Sequence, residues 1–248
     1  MKVLVCGACG AMGRAVSAVL REYGHEPVAG IDKVAADVGF PVYGDISGVR
    51  EQFDCIIDFS HPSLLKSIID CAVEKKTPAV IATTGISDEQ IEYMRAASAS
   101  VPIFFSFNMS FGVNVLASLA KKATAALYDA FDIELVEMHH NRKLDAPSGT
   151  AILLADAIAD SLPEPPVFVY DRHSRRQKRD KKEIGISSVR GGTIVGEHEI
   201  IFAGKDEMLT LKHTALSRDV FAVGAVKAAQ FLAAKESGLY SMSDMIGE

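Results

Sequence analysis

Val3-Leu4-Val5-Cys6-Gly7-Ala8-Cys9-Gly10-Ala11-Met12-Gly13 decides the fold of this chain. An apolar run ends at Cys6, a glycine-rich turn follows, and Met12, Val16, Leu20 and Tyr23 then recur on one face at helical spacing. Strand, turn and helix in this order open a dinucleotide-binding unit. Glycines let the backbone turn tightly and approach a pyrophosphate, while the free N–H groups and dipole of a helix start favour negative charge. The spacing is Gly-x-x-Gly-x-x-Gly, a variant, and a glycine triplet taken alone is also an ordinary tight turn. Asp32 adds weight, standing 19 residues beyond Gly13 at the end of the second apolar run, where a carboxylate reaches the adenosine ribose of NAD. Lys33 beside it offers a cation to the 2′-phosphate of NADP, so the pair predicts use of NADH or NADPH; a solvated ion pair after a strand is the plainer alternative.

Outward from this turn, residues 1 to about 107 repeat a short apolar run followed by a helical pattern, which reads as a Rossmann-like, doubly wound parallel sheet. The expected strands are Val3–Cys6, Val28–Ile31, Cys55–Phe59, Ala79–Thr83 and Ile103–Phe107. A helix starting near Ser87 carries a capping box with Gln90 and ends before Val101-Pro102. Ligands of such sheets bind outside the carboxyl ends of the strands, which brings in Phe59-Ser60 and Ala82-Thr83-Thr84-Gly85, whose hydroxyls suit a nicotinamide amide and ribose. After Asn108 the rhythm changes to a helix up to about Tyr128, a strand Ile133–Met138, a polar loop, a helix from about Gly149, and β-rich segments 184–190, 193–203 and 207–215. This predicts a second, α+β domain with an open mixed or antiparallel sheet, largely antiparallel, of a kind that often serves as a subunit interface. Residues 220–234 return to a helical pattern expected to pack on the first domain. The expected domains are 1–108, completed by 218–248, and 109–217, with hinges near Asn108 and Ser217.

Bulk properties narrow the classes of function. A formal net charge of −6 gives no reason to expect nucleic acid or an anionic membrane as partner. Seven Lys or Arg lie within Arg172–Lys182, but no aromatic residue interleaves them and Asp171, Asp180 and Glu183 flank them, so a mobile surface loop is expected there. No stretch is long enough to span a membrane, and Met1 runs straight into apolar sequence without a secretory pattern. The four cysteines, Cys6, Cys9, Cys55 and Cys71, make a poor disulfide framework, and a reducing cytoplasm is expected. Cys6-x-x-Cys9 has the spacing of a metal or redox pair, but nothing nearby completes a metal site, and none is expected.

The densest cluster of chemistry is Glu137-Met138-His139-His140-Asn141-Arg142-Lys143-Leu144-Asp145-Ala146-Pro147-Ser148-Gly149-Thr150-Ala151. Its bland reading is a solvated, charged loop. Ser148 is placed to cap the next helix, however, and would turn the Gly149 and Thr150 amides outward as an anion site beside two histidines and a lysine. The stretch His139-His140-x-x-Lys143-x-Asp145-Ala146-Pro147-Ser148-Gly149-Thr150-Ala151 resembles the signature of dihydrodipicolinate reductases, also called 4-hydroxy-tetrahydrodipicolinate reductases. Agreement extends through Gly7 to Gly13, Asp58-Phe59-Ser60, Thr83-Thr84-Gly85, Phe107-Asn108-Met109-Ser110, Arg190-Gly191-Gly192, Gly196-Glu197-His198 and Ser217-Arg218.

The resemblance implies NAD(P)H-dependent reduction of 4-hydroxy-tetrahydrodipicolinate or dihydrodipicolinate to tetrahydrodipicolinate, on the diaminopimelate route to lysine, by a homotetramer joined through the second-domain sheet. It implies His139 and Lys143 as proton-handling residues, and His140, Lys143, Gly149 and Thr150 as holders of a small cyclic dicarboxylate. Gly7, Ala8, Cys9, Gly10, Ala11, Met12, Asp32, Lys33, Phe59, Ala82, Thr83, Thr84, Ser106, Phe107, Asn108 and Met109 would line the cofactor. Asn141, Arg142, Ala82 and Met109 depart from commoner residues of the family, which bears on affinity and cofactor choice more than on the reaction. His198 and His213 read as structural. Two other functions share part of the pattern: another two-domain NAD(P)-dependent amino-acid dehydrogenase, which lacks this loop, and a non-catalytic cofactor sensor, which does not need it.

Overall fold

A computed structural model describes residues 1–34 and 36–247. It divides into two compact units, Met1–Phe111 with Arg218–Glu248, and Gly112–Ser217, so the first crossing lies three residues beyond the expected one. Unit 1 begins with β1 (Lys2–Cys6), α1 (Ala11–Glu22), β2 (Glu26–Ile31), β3 (Val42–Tyr43), β4 (Cys55–Asp58), α2 (Leu65–Lys75), β5 (Ala79–Ile81), α3 (Asp88–Ala97) and β6 (Pro102–Phe105). Next come α4 (Phe111–Leu127), β7 (Asp132–His139), α5 (Gly149–Ala159), β8 (Val167–Val169), β9 (Glu183–Arg190), β10 (Gly196–Ala203) and β11 (Met208–Ala215). The chain then returns to unit 1 with α6 (Asp219–Leu232), β12 (Gly238–Tyr240) and α7 (Met242–Ile246).

The sheet of unit 1 runs β12-β6-β5-β4-β1-β2-β3, with every pairing parallel. Its strands are apolar without alternation because both faces are buried. Val3 and Val5 of β1 join Val16 and Leu20 of α1 and Val226 and Leu232 of α6, while Leu4 and Cys6 join Ile68 and Ile69 of α2. Burying side chains such as Leu20 and Leu232 completely contributes roughly 1.5–3 kcal/mol each. The returning helix α6 is therefore half of one layer of unit 1. The expected capping box forms, with the Ser87 hydroxyl accepting from Gln90 and the Gln90 side chain accepting from the Ser87 amide. The two-residue β3 and three-residue β12, which carry almost no periodic signal, extend both edges beyond what the sequence predicts.

Unit 2 holds a five-stranded sheet in the order β11-β10-β7-β9-β8. β10 pairs antiparallel with β11 and β7, but β9 pairs parallel with β7 and β8. The sheet is mixed rather than largely antiparallel. The physical reason is the excursion through α5, a crossover that returns the chain to the end from which β7 started. On β7 the residues Ile133, Leu135, Glu137 and His139 are buried and those between are not. The first two pack with Ile200 and Phe202 of β10 against Leu116 and Ala120 of α4 and Leu154 and Ile158 of α5.

The basic segment 172–182 is an exposed surface loop without helix or strand, as expected, but ion pairs tie it to the sheet. Arg172 pairs with Glu134 at 2.7 Å and Glu183 at 2.8 Å. Arg179 pairs with Asp132 at 3.0 Å and Glu134 at 3.1 Å, and also donates to the carbonyls of Ile133 and Glu183. Single exposed pairs are worth little, but Glu183 is buried and two arginines share Glu134, so the cations hold the starts of β7 and β9 together.

Candidate active site

The glycine turn of unit 1 leaves β1 where the strand order reverses, since β1 lies between β4 and β2, the position at which doubly wound sheets take ligands. A side chain at Gly7, where φ is +78°, would bring its Cβ to 2.5 Å from the Phe59 carbonyl oxygen, and one at Gly13 would reach 2.1 Å from the Gly7 oxygen. Neither site admits a Cβ. Helix α1 starts at Gly10 with no side-chain cap and no acidic residue in its first turn, so positive partial charge is concentrated beside a turn without bulk. That arrangement fits a pyrophosphate. Ala8 is buried, Gly10 and Ala11 are exposed and Cys9 and Met12 partly so; Ala8 can therefore serve a cofactor only through its backbone.

Asp32 follows β2 and already has partners, accepting the Cys9 amide at 2.9 Å and the Val34 amide at 3.0 Å. It braces the glycine turn in addition to any contact with ribose. Lys33 is exposed. At the end of β4, the fully buried Asp58 accepts the Thr83 hydroxyl at 2.8 Å on one oxygen, and the Ser60 hydroxyl and amide at 2.5 and 2.9 Å on the other. Burial pushes this carboxyl up, against the hydrogen bonds that favour its charge. The donor of the Thr83 hydroxyl is thus committed inward, since a buried carboxylate needs its donors, and toward a ligand this hydroxyl can only accept. Thr84 remains exposed beyond the buried Ala82, and Phe59 is half-buried. Ser106 and Asn108 close a turn on each other, with Ser106 Oγ donating to the Asn108 carbonyl at 2.9 Å and accepting its amide at 3.2 Å. Phe107 is half-exposed and edge-on to Phe105. Met109 is core: it is buried, and its carbonyl lies where a Cβ on Gly224 would have to be.

In unit 2, β7 delivers His139 and Glu137 to the end of the sheet's buried face. His139 Nδ1 lies 2.6 Å from Glu137 Oε2. Arg190, at the end of the neighbouring β9, grips the same carboxylate with two bonds of 2.8 and 2.7 Å, and the Ser148 amide donates to it at 3.2 Å. Burial opposes the charge on Glu137, but hydrogen bonds from Arg190, Ser188 and His139 hold its carboxyl down at about 2. His139 lies below its ordinary value because burial, with help from Lys143 and Arg190, outweighs the pull of Glu137.

Ser148 caps α5 through the Ala151 amide at 3.1 Å, and its hydroxyl also meets His198 Nε2 at 2.9 Å. No acidic residue stands in the first turn of α5, and space around Gly149 is open. Thr150 follows on the same turn, partly buried. Lys143 pairs with Asp145 at 2.9 Å, and the buried His140 Nδ1 has no hydrogen-bond partner among the described residues. The fold therefore gathers His139, His140, Lys143, Gly149 and Thr150 around one loop and helix start, with an unmatched polar atom among them. No group of His, Cys, Asp and Glu among the described residues has the arrangement of a metal site.

Two models of known families cover the chain: "Dihydrodipicolinate reductase, N-terminus" matches residues 1–109 and "Dihydrodipicolinate reductase, C-terminus" matches 112–246. The chain belongs to the dihydrodipicolinate reductase family. It is 48% identical over 247 residues to the 4-hydroxy-tetrahydrodipicolinate reductase of Caldanaerobacter subterraneus subsp. tengcongensis, covering 99% of this chain and 98% of that one. With the enzyme of the same name from Clostridium tetani it shares 47% over 248 residues, covering 99% and 97%. Among solved structures, the dipicolinate-bound dihydrodipicolinate reductase from Paenisporosarcina sp. TG-14 superposes with a TM-score of 0.82 at 25% identity, over 99% of both chains. This member of the family is an NAD(P)H-dependent reductase of the diaminopimelate route to lysine.

For a dihydrodipicolinate reductase, three residues around His139 escaped the sequence reading of the site. Glu137 was legible from the β7 alternation, which places it inward with Ile133 and Leu135. Arg190 and His198 arrive from other strands and have no local signal. His198, buried beside His139 with ring centroids 5.2 Å apart, is pushed down to about 4 by burial first and by its neighbours' positive charge.

Two outcomes are expected. Asp32→Asn keeps an acceptor for the Cys9 amide but removes the charge that repels a 2′-phosphate; at on the order of 1 kcal/mol for a screened pair, kcat/KM preference should move toward NADPH by about fivefold. Lys33→Ala should move it toward NADH, and steady-state kinetics with both cofactors would show neither side chain reading the 2′ position if the ratio stayed fixed. His198 is neutral in the fold and takes a proton more readily when unfolded, so its contribution to stability is complete above about pH 6.5 and is lost as pH falls toward 4. Thermal unfolding should show that loss, on the order of 3 kcal/mol, with a shallower fall in His198→Gln; an equally steep fall in the variant would remove His198 as its source.

Proposed function

We propose that the chain reduces 4-hydroxy-tetrahydrodipicolinate, or its dehydrated form dihydrodipicolinate, to tetrahydrodipicolinate with NADH or NADPH, and that it does so in the cytoplasm, where its four free cysteines would stay reduced. The observation that carries the reading is the joining of His139, His140 and Lys143 to an uncharged helix start in one loop, a set of donors matched to a dicarboxylate that must gain a proton. When bound on the glycine turn, NAD(P)H supplies the hydride. His140, Lys143 and the α5 start at Gly149 and Thr150 hold the substrate carboxylates and offset their mutual repulsion. Lys143 is free to exchange partners, because Asp145 is more than half exposed and a surface pair is worth ~1 kcal/mol or less. After its C=N system has accepted the electron pair the ring requires one proton, which His139 donates with the Lys143 ammonium beside it; the 4-hydroxy form must also lose its hydroxyl as water to reach the same product.

His139→Ala and Lys143→Ala should each lower kcat by about 100-fold or more while leaving NADH binding near the parental value. Loss of NADH absorbance with enzymatically generated substrate measures the first, and fluorescence titration the second. Near-normal turnover in either variant would remove that residue from proton transfer.

A homotetramer through the second sheet is part of the same proposal. The α4 and α5 helices cover only one face of that sheet, and Val136, Met138, Val189, Ile201 and Met208 alternate onto the other, with Val189 and Met208 well exposed. Sedimentation velocity should find four chains together, and Ile201→Lys should break them apart; a monomeric parent, or a variant with unchanged assembly, would place the interface elsewhere.

A further inference from the structure

Glu137 and Arg190 have no place in the proton and carboxylate chemistry above, yet they hold the geometry of His139. An ionised carboxylate only accepts hydrogen bonds, so the 2.6 Å contact between Glu137 Oε2 and His139 Nδ1 requires the proton on Nδ1. Glu137 cannot turn away, because Arg190 binds both its oxygens and the Ser148 amide binds one of them. Arg190 is anchored in turn by the carbonyls of Val189 at 2.8 Å and Asp145 at 2.6 Å. On the other side of the ring, a Cβ at position 196 would come within 3.1 Å of Nε2, and Gly196 leaves that space open.

We propose that Glu137 and Arg190 are positioning residues: the carboxylate, clamped by the guanidinium, fixes His139 in the tautomer protonated at Nδ1 and leaves Nε2 as the atom through which it exchanges protons. The proposal rests on the reading of His139 as a proton donor. The guanidinium has a second effect. Glu137 alone would tighten the hold of His139 on its proton, and Arg190, by sharing the carboxylate's charge, loosens that hold so that the proton can be delivered. The charged and titratable groups facing His139 are Glu137 on its own strand, Arg190 on β9, His198 on β10, and Lys143 with its partner Asp145 on the loop. His198 is uncharged near neutrality, so Glu137 and the two cations set the balance.

Two measurements test this. In the full-length parent, ¹⁵N spectra of labelled histidine at alkaline pH should show His139, assigned by its loss in His139→Gln, with a pyrrole-type Nδ1 and a pyridine-type Nε2. The reverse pattern overturns the proposal, and this readout needs neither turnover nor a folded Glu137 or Arg190 variant. In the second, the alkaline limb of the kcat/KM profile, which follows the donor's deprotonation in the free enzyme, should move in opposite directions. Glu137→Gln should shift it to lower pH and Arg190→Gln to higher pH, each by about one pH unit, while Arg190→Lys stays near the parent. A purely structural role would reduce activity in both variants with the limb unmoved, and that result, or shifts of the same sign, sinks the proposal. A parent with the expected tautomer but no turnover of the dicarboxylate would count against the proposed reaction and leave the positioning intact.

Discussion

A negative charge with no access to water organises unit 2. Glu137 is brought inward by the two-residue period of β7, at the point where the apolar residues Ile133 and Leu135 give way to polar ones. A carboxylate in that position must be matched by donors, and leaving one uncompensated costs several kcal/mol. Its donors come from three places in the chain: Arg190 and Ser188 from β9, His139 two residues along its own strand, and the Ser148 amide at the start of α5. Satisfying one buried group therefore fixes where β9 ends, how the loop between residues 140 and 147 is anchored, and how α5 begins. The Gly191 amide, donating to the His139 carbonyl at 2.9 Å, closes the same corner from the backbone.

Unit 1 shows the same device without a cation, and the comparison separates support from chemistry. Asp58 is as buried as Glu137, but its donors are two hydroxyls and an amide, all neutral. Its carboxyl is pushed up whereas that of Glu137 is held down. Neutral donors satisfy lone pairs and tie the ends of β4 and β5 together without setting a field on anything nearby. A guanidinium does both. Asp32 is the third case, half-buried and bonded to the amide of Cys9 in the glycine turn, so the residue expected to read the ribose also holds the turn expected to meet the pyrophosphate. Charge and shape are coupled there, which is why a neutral isostere separates the two roles and a serine would not.

What the sequence disclosed follows the reach of each signal. The strand, glycine turn and helix at residues 3–20 could be read because three local rules coincide there, and the Ser87–Gln90 box because both its partners lie within one turn. His139, His140, Lys143 and Ser148 were legible for the same reason, since one contiguous loop carries them. Arg190 was not, because its partner is 53 residues away and only the pairing of β7 with β9, which sets His139 opposite Arg190, brings them together. That pairing is parallel, and no composition rule distinguishes it from an antiparallel one. The ion pairs of the basic run 172–182 were hidden for a related reason: its anionic partners Asp132 and Glu134 lie some forty residues earlier.

The two residues proposed to handle the proton are supported in opposite ways, and the difference bears on how they would divide the work. His139 is buried and bonded to a carboxylate that is itself held by three donors, so its ring has one orientation and needs no reorganisation when charge develops in the substrate. Lys143 is tethered to a single exposed carboxylate on its own loop, a weak hold that a substrate carboxylate would replace at little cost. A fixed donor would specify the face from which the proton arrives, and a weakly held cation would be released to the substrate when it binds. Exchanging these supports would weaken both functions: a mobile histidine would lose its tautomer, and a clamped lysine would keep its charge on Asp145 when the substrate requires it. The burial of Glu137 and the exposure of Asp145 therefore have one explanation, in which each carboxylate holds its cation only as firmly as that cation's task allows.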